Sequence, residues 1–116
     1  MPDTPETQAE VEAVLQDGPL DALRWLPIGL SLDPPDAIDV QSVCLSLADH
    51  PDDWVRGNAI VALGHLARVT GDLDRARVTP VIRAALRDHH QRVRGQAGDA
   101  ESDIRHFMGW KHWRVR

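Results

Sequence analysis

Three groups of side chains in this 116-residue chain carry atoms that could do chemistry: the paired imidazoles of His89 and His90, the paired carboxylates of Asp52 and Asp53, and the lone thiol of Cys44. Chelation from one helix face needs histidines at i and i+4, and nucleophilic catalysis needs a nucleophile beside an oriented base. Adjacent histidines do not meet the first requirement, and neither a third ligand nor a nucleophile accompanies them. Asp52 and Asp53 stand before an apolar-periodic run, where carboxylates interact well with the positive end of a helix dipole. Helix-start electrostatics explains them better than acid–base catalysis. One cysteine excludes an internal disulfide framework, and no Cys and His cluster has zinc-finger spacing. No period-two run marks a strand, so no glycine-rich phosphate loop can follow one. The expectation is a protein with no catalytic residues, no metal and no cofactor.

What remains is the chemistry of recognition. The net charge of -5 divides unevenly, with a balance of -11 over residues 1–54 (twelve acids against Arg24) and +6 over residues 55–116 (six acids against twelve bases). Such a dipole steers encounters and suppresses wrong partners more than it adds affinity. The stretch Arg105-His106-Phe107-Met108-Gly109-Trp110-Lys111-His112-Trp113-Arg114-Val115-Arg116 mixes aromatic rings with bases, a composition that can stack single-stranded nucleic acid. The competing expectation is that Phe107 and Trp110 cover the last hairpin while the bases stay in water. A pI near 5.6 argues against a dedicated nucleic-acid binder. No apolar run reaches the roughly 20 residues of a membrane span, and Met1-Pro2-Asp3-Thr4-Pro5-Glu6 lacks the regions of a secretory signal. A soluble, cytoplasmic protein is expected.

The elements that must position these groups announce themselves by repetition. Val55-Arg56-Gly57 with Ala59 and Ala62 returns 38 residues later as Val93-Arg94-Gly95 with Ala97 and Ala100. Self-similarity at such a period means stacked supersecondary units, which bury a continuous core and present a long exposed face. Val55, Ala59, Ala62, Leu63 and Leu66 make one helical stripe within 52–69, stopped by Thr70-Gly71. A partner helix over 39–49 carries Val40, Val43, Cys44 and Leu47, and His50-Pro51 turns between the two. The next unit should open with Thr79 as N-cap and Pro80 at the first helical position, then turn at Asp88-His89-His90 into a helix through Ile104. Gly95, Gly98 and Gly109 weaken that helix, each by about 1 kcal/mol. Earlier, 7–16 reads as one helix and 19–32 as another, kinked or broken near Pro27 and Gly29. The expectation is therefore a single all-α domain of six helices: a divergent hairpin over 1–37, clear repeats over 38–71 and 72–108, and a basic aromatic tail over 109–116.

An idealised wheel centred on Ala59 and Leu66 leaves Trp54, Gly57, Val61, Gly64 and Arg68 on the opposite side. The same positions 38 residues on are Arg92, Gly95, Asp99, Ser102 and His106. A large aromatic beside small and charged residues has the composition of an interface anchor. Trp54 is either that anchor or a ring folded back over the hairpin turn.

The run Asp49-His50-Pro51-Asp52-Asp53-Trp54-Val55-Arg56-Gly57-Asn58-Ala59-Ile60-Val61-Ala62-Leu63-Gly64 resembles the core of a HEAT repeat. The second copy, from Asp88 to Ile104, keeps the aspartate, Val-Arg and both alanines but has Glu101-Ser102 in place of Leu63-Gly64. The resemblance implies a right-handed superhelix of antiparallel helix pairs with the second helices on the concave side. It assigns Asp49, Arg56, Asp88 and Arg94 to contacts between neighbouring units, and it implies no reaction. Compact helical-repeat chains of this size also resemble some immunity proteins of bacterial toxin systems, including contact-dependent growth inhibition. That likeness implies a protein partner, a basic toxin domain such as a nuclease, met by Asp33, Asp36, Asp39, Asp49, Asp52 and Asp53 with Trp54 desolvated between them; Val61, Arg68, Arg92 and Asp99 complete the expected contact set. A monomer is expected. The alternatives are a scaffold stacking its acidic end on its basic end, and nucleic-acid binding through the basic half.

Overall fold

The computed structural model describes residues 3–116, and they form six helices with no strand among them. These are α1 (Gln8–Asp17), α2 (Leu20–Leu32), α3 (Val40–Leu47), α4 (Asp53–Thr70), α5 (Arg75–Ala85) and α6 (Gln91–Met108). No helix among the described residues is long and apolar enough to cross a membrane. The boundaries follow local chemistry. Thr7, Asp39, Asp52 and Asp74 each accept a hydrogen bond from a backbone N–H in the first turn of the helix that follows. Such a bond satisfies a donor that has no intrahelical partner. Gly71 and Gly109 end α4 and α6 in the left-handed region at φ 64° and 59°, where only glycine is free of a Cβ penalty.

Three expectations about elements are corrected. Of the two expectations for Pro27, the break is overturned, since helix α2 runs through it, and at Gly29 the Thr4 side chain comes so close that a Cβ there would collide with it. Helix α5 starts at Arg75, capped by Asp74, one turn before Thr79. Pro80 is therefore interior, and Thr79 Oγ1 donates to the Arg75 carbonyl at 2.6 Å, which engages an acceptor within the turn leading to the proline. Gly109 is the cap of α6 and not a weak point within it.

The helices form two layers. α4 lies between α2 and α6 and packs extensively on both, whereas α1, α3 and α5 contact mainly the neighbouring members of that row. A central helix has two covered flanks as well as a core face. Residues 55–64 are accordingly all buried, and Gly57, Val61 and Gly64, expected on the open side of α4, are buried with them. The glycines explain how closely α4 approaches α6: a Cβ on Gly64 would stand 3.0 Å from Ala100 Cα, and one on Gly57 3.3 Å from Gln96 Cγ.

After Gly109 the chain folds back over the outer end of the last hairpin. Trp113 and Val115 are the residues that cover it, at 2% and 1% exposure, while Phe107 is exposed and Trp110 half-buried. Burial at alternate positions marks an extended segment with one face inward. Its carbonyls are received by guanidiniums: Arg75 donates to Lys111 O, Arg83 to Arg114 O and Arg105 to Trp113 O. Trp113 Nε1 donates to Thr79 Oγ1 at 2.9 Å, and Arg116 Nε donates to Glu101 Oε1 at 3.0 Å.

Candidate interaction surface

The first turns of α4 and α6 and the facing turn of α2 build one cluster around Trp54. Two guanidiniums stand over its ring, with Arg92 Cζ 3.8 Å and Arg24 Cζ 5.8 Å from the ring centroid. Each cation is held by a carboxylate of the α4 start. Arg24 donates from Nε and Nη2 to the two oxygens of Asp52, both at 3.0 Å, and Arg92 Nε donates to Asp53 Oδ2 at 3.1 Å. Asp52 also accepts from Val55 N at 3.0 Å, and His90 Nε2 stands 3.3 Å from Asp53 Oδ2. The hydrogen bond from Arg24, ahead of the Val55 cap, holds the Asp52 carboxyl below its usual range. Both aspartates are thus neutralised inside the molecule. Paired charges of this kind brace the α2–α4–α6 row and offer little net field to a partner.

Below the cluster, Asn58, Val61, His65 and Arg68 continue the stripe of α4 that Trp54 begins. Asn58 Nδ2 donates to Arg24 O at 2.7 Å and Gln96 Nε2 to Asn58 Oδ1 at 3.5 Å, so α2, α4 and α6 are cross-linked by one amide. Ser31 Oγ, which donates to Ile28 O, lies 3.2 Å from His65 Nδ1. Burial, and then the Arg68 cation, push the His65 imidazole below its ordinary value, with Asp103 opposing. Arg68 is exposed at the far end of α4, some 14 residues and about 21 Å from Trp54 along the axis. Arg92 and Asp99 share the wall of an open depression of about 610 Å³ on α6, with His90, Gln91, Gly95 and Gln96.

The repeat-motif residues divide. Arg56 Nε and Nη2 donate to Asp88 Oδ2 and Oδ1 at 2.7 and 2.9 Å, joining the second unit to the third, and Arg56 Nη1 reaches back to His50 O at 3.0 Å. Arg94 repeats only the reach-back, to Asp88 O at 2.8 Å, because no further unit supplies a carboxylate. Asp49 departs from its expected role. It is exposed and takes part in none of the ion pairs among the described residues. The turns before α4 and α6 are equal in length, residues 48–52 and 86–90, so His50 stands where Asp88 does in the next unit and Asp49 falls one residue before it, out of register with the bridge.

Of the remaining acids, Asp39 caps α3, with Ser42 Oγ and Ser42 N donating to it at 2.6 and 3.1 Å. The Ser42 hydroxyl, then the backbone bond, hold its carboxyl low. Asp33 and Asp36 are exposed in the α2–α3 connector. The structure gathers Asp52, Asp53, Trp54 and Arg92 into one cluster and leaves Asp36, Asp39 and Arg68 toward the opposite ends of α3 and α4. Arg24 and His90 belong to the cluster without having been expected there. The first hairpin diverges from the repeat, so spacing is silent on Arg24; its isolation among twelve acids was the one available signal. Cys44 is fully buried, and burial pushes its thiol up to about 12, which keeps it protonated and unreactive at neutral pH.

No family model and no curated protein matches the sequence. Among solved structures, the fold is similar to a chain of the CDI (contact-dependent inhibition) complex from Cupriavidus taiwanensis, with a TM-score of 0.73 and 27% sequence identity. The similarity covers 92% of this chain and 97% of that chain.

Proposed function

We propose that this protein is an immunity protein, a non-catalytic binder that masks the toxin domain of a bacterial contact-dependent inhibition system from within the cytoplasm. The observation that carries the reading is the likeness to a chain of a CDI complex over nearly the whole length of both chains. A likeness of that extent concerns the whole stack and not one hairpin. The charge distribution supports a basic partner. Among the described residues, Asp52 and Asp53 are the only ones of the twelve acids in residues 1–54 held in ion pairs, so the first hairpin and its connector keep an uncompensated negative field. The three hairpins are read as HEAT-like units, with the Arg56–Asp88 bridge as the inter-unit contact.

Two observations favour this over the alternatives. Trp113 and Val115 cover the end of the stack where another copy would dock in a head-to-tail array, which supports a monomer. Arg75, Arg83 and Arg105 already bind carbonyls of the basic segment, which leaves fewer cations for a nucleic-acid backbone.

The test is protection. The polypeptide encoded by the adjoining reading frame is expressed in a bacterial host with and without this chain. Growth should be arrested without it and restored with it, and the two polypeptides should co-elute. Arrest that persists in the presence of this chain, with no co-elution, would sink the proposal.

A further inference from the structure

The row α2–α4–α6 is closely packed, but α3 and α5 are not. Each turns its apolar stripe inward, Val43, Cys44 and Leu47 from α3 and Val78, Ile82 and Ala85 from α5, and the flanks between them stay uncovered. The result is a groove of about 580 Å³, with Leu45, Ala48 and Pro51 on one wall and Pro80, Val81 and Ala84 on the other. Small alanines on both sides keep it open, and the prolines make its lips stiff. At its floor Arg56 is neutralised by Asp88 and by the His50 carbonyl. On the rim stands Asp49, exposed and in none of the ion pairs among the described residues.

The two faces of the molecule therefore differ in what they can offer. On the α2–α4–α6 face Asp52, Asp53 and Asn58 have partners within the molecule and Arg92 already lies over the Trp54 ring, while Asp99 stands exposed on α6. Its depression on α6 is open and polar. The α3–α5 groove has apolar walls, with His50 and His89 at the end where Arg56 meets Asp88 and the Asp49 carboxylate on the rim. Binding energy concentrates where an apolar anchor is fully desolvated in a pocket, with a polar group at the edge to orient it.

We propose that the α3–α5 groove is the anchor site for the protein partner, and that it takes an apolar side chain adjacent in the partner chain to an arginine or lysine, whose cation pairs with Asp49. This rests on the reading of the chain as a toxin-masking protein. It places the decisive contact on the outer layer, away from Trp54, and it gives a recognition role to Asp49, which the inter-unit bridge between Arg56 and Asp88 does not use.

The experiment is calorimetric titration of the polypeptide from the adjoining reading frame into the wild type, Ala84→Trp, Asp49→Lys and Trp54→Ala, with melting temperatures as the folding control. Ala84→Trp fills the groove from an exposed position and should weaken binding by roughly thirtyfold or more, the loss of one hot spot. Asp49→Lys removes no internal contact and should weaken binding about tenfold through a reversed rim charge. On complex formation the methyl resonances of Leu45 and Val81 should shift. If Ala84→Trp proves unstable, Asp49→Lys and the methyl shifts carry the test. Wild-type affinity in both groove variants, or a loss confined to Trp54→Ala, overturns the groove while leaving the masking function standing. A wild type that binds nothing overturns both.

Discussion

Asp88 is held at the junction of α4 and the turn before α6. It accepts two hydrogen bonds from Arg56, and both side chains are nearly buried, at 9% and 12% exposure. Removing one partner of such a pair leaves a charge with its hydration gone. Asp88→Ala should cost about 3 kcal/mol, at the low end for a broken buried pair because Arg56 keeps the His50 and Pro51 carbonyls. The same bridge sets an acid limit. The Arg56 hydrogen bond lowers the Asp88 carboxyl, and the Arg24 hydrogen bond lowers that of Asp52. A carboxylate whose folded value lies below its unfolded value of about 3.9 stabilises the fold fully above that value. The contribution disappears as pH falls through the lower, folded value. Denaturant midpoints measured from pH 7 to pH 2 should therefore fall steeply below about pH 4 in the wild type and less steeply in Asp88→Ala. Equal slopes would mean that the bridge carries no linkage.

Glycines that look equivalent in the sequence repeat differ in what faces them. Gly57 and Gly95 occupy matching positions of α4 and α6, yet a Cβ on Gly57 meets Gln96 Cγ at 3.3 Å and one on Gly95 meets nothing within 4 Å. Helix α4 has a neighbour on that side, and α6 is the last of the row. Gly95→Ala should accordingly stabilise the protein by about 1 kcal/mol, the propensity difference alone. At Gly64 the added Cβ would press on Ala100 Cα at 3.0 Å, an atom of backbone that cannot swing aside. Gly64→Ala should destabilise by about 1 to 3 kcal/mol through overpacking, in spite of its better helix propensity. Calorimetric melting of the two variants checks the pair. Melting temperatures that move in the same direction would contradict the packing of α4 on α6.

Taken as one body, the molecule is a short stack whose last unit is closed by its own chain. Trp113 is 2% exposed and hydrogen-bonded to Thr79, whereas Trp54 is 36% exposed and held by stacked cations. Truncating the first opens the α5–α6 core, so Trp113→Ala should cost about 3 to 5 kcal/mol, and Trp54→Ala should cost less than half of that. Opening that end should also expose an apolar face to other copies. Light scattering at low and moderate salt should find the wild type monomeric and Trp113→Ala associating with time. A wild type that assembles at low salt would favour the head-to-tail scaffold instead.

The six helices, the acidic start of α4 and its stop at Gly71 were legible in the residue order, because a stripe at 3.6-residue spacing, an aspartate at a helix start and a glycine at a helix end act within one or two turns. The interior start of α5 escaped that reading, since Asp74 and Thr79 are both good caps and only the packing of Val78 chose between them. Burial on the flanks of α4 was not legible, because whether Val61 or Gly64 meets water depends on which helices lie beside them. Nor was the fate of the charges. Asp52 and Asp53 read as free acids until α2 and α6 brought Arg24 and Arg92 to them, while Asp49 read as a bridge although His50 holds the position that matches Asp88. Spacing along a chain determines which face of a helix is apolar; which charges are matched, and where an apolar groove remains open, follows from the neighbours that folding brings to each face.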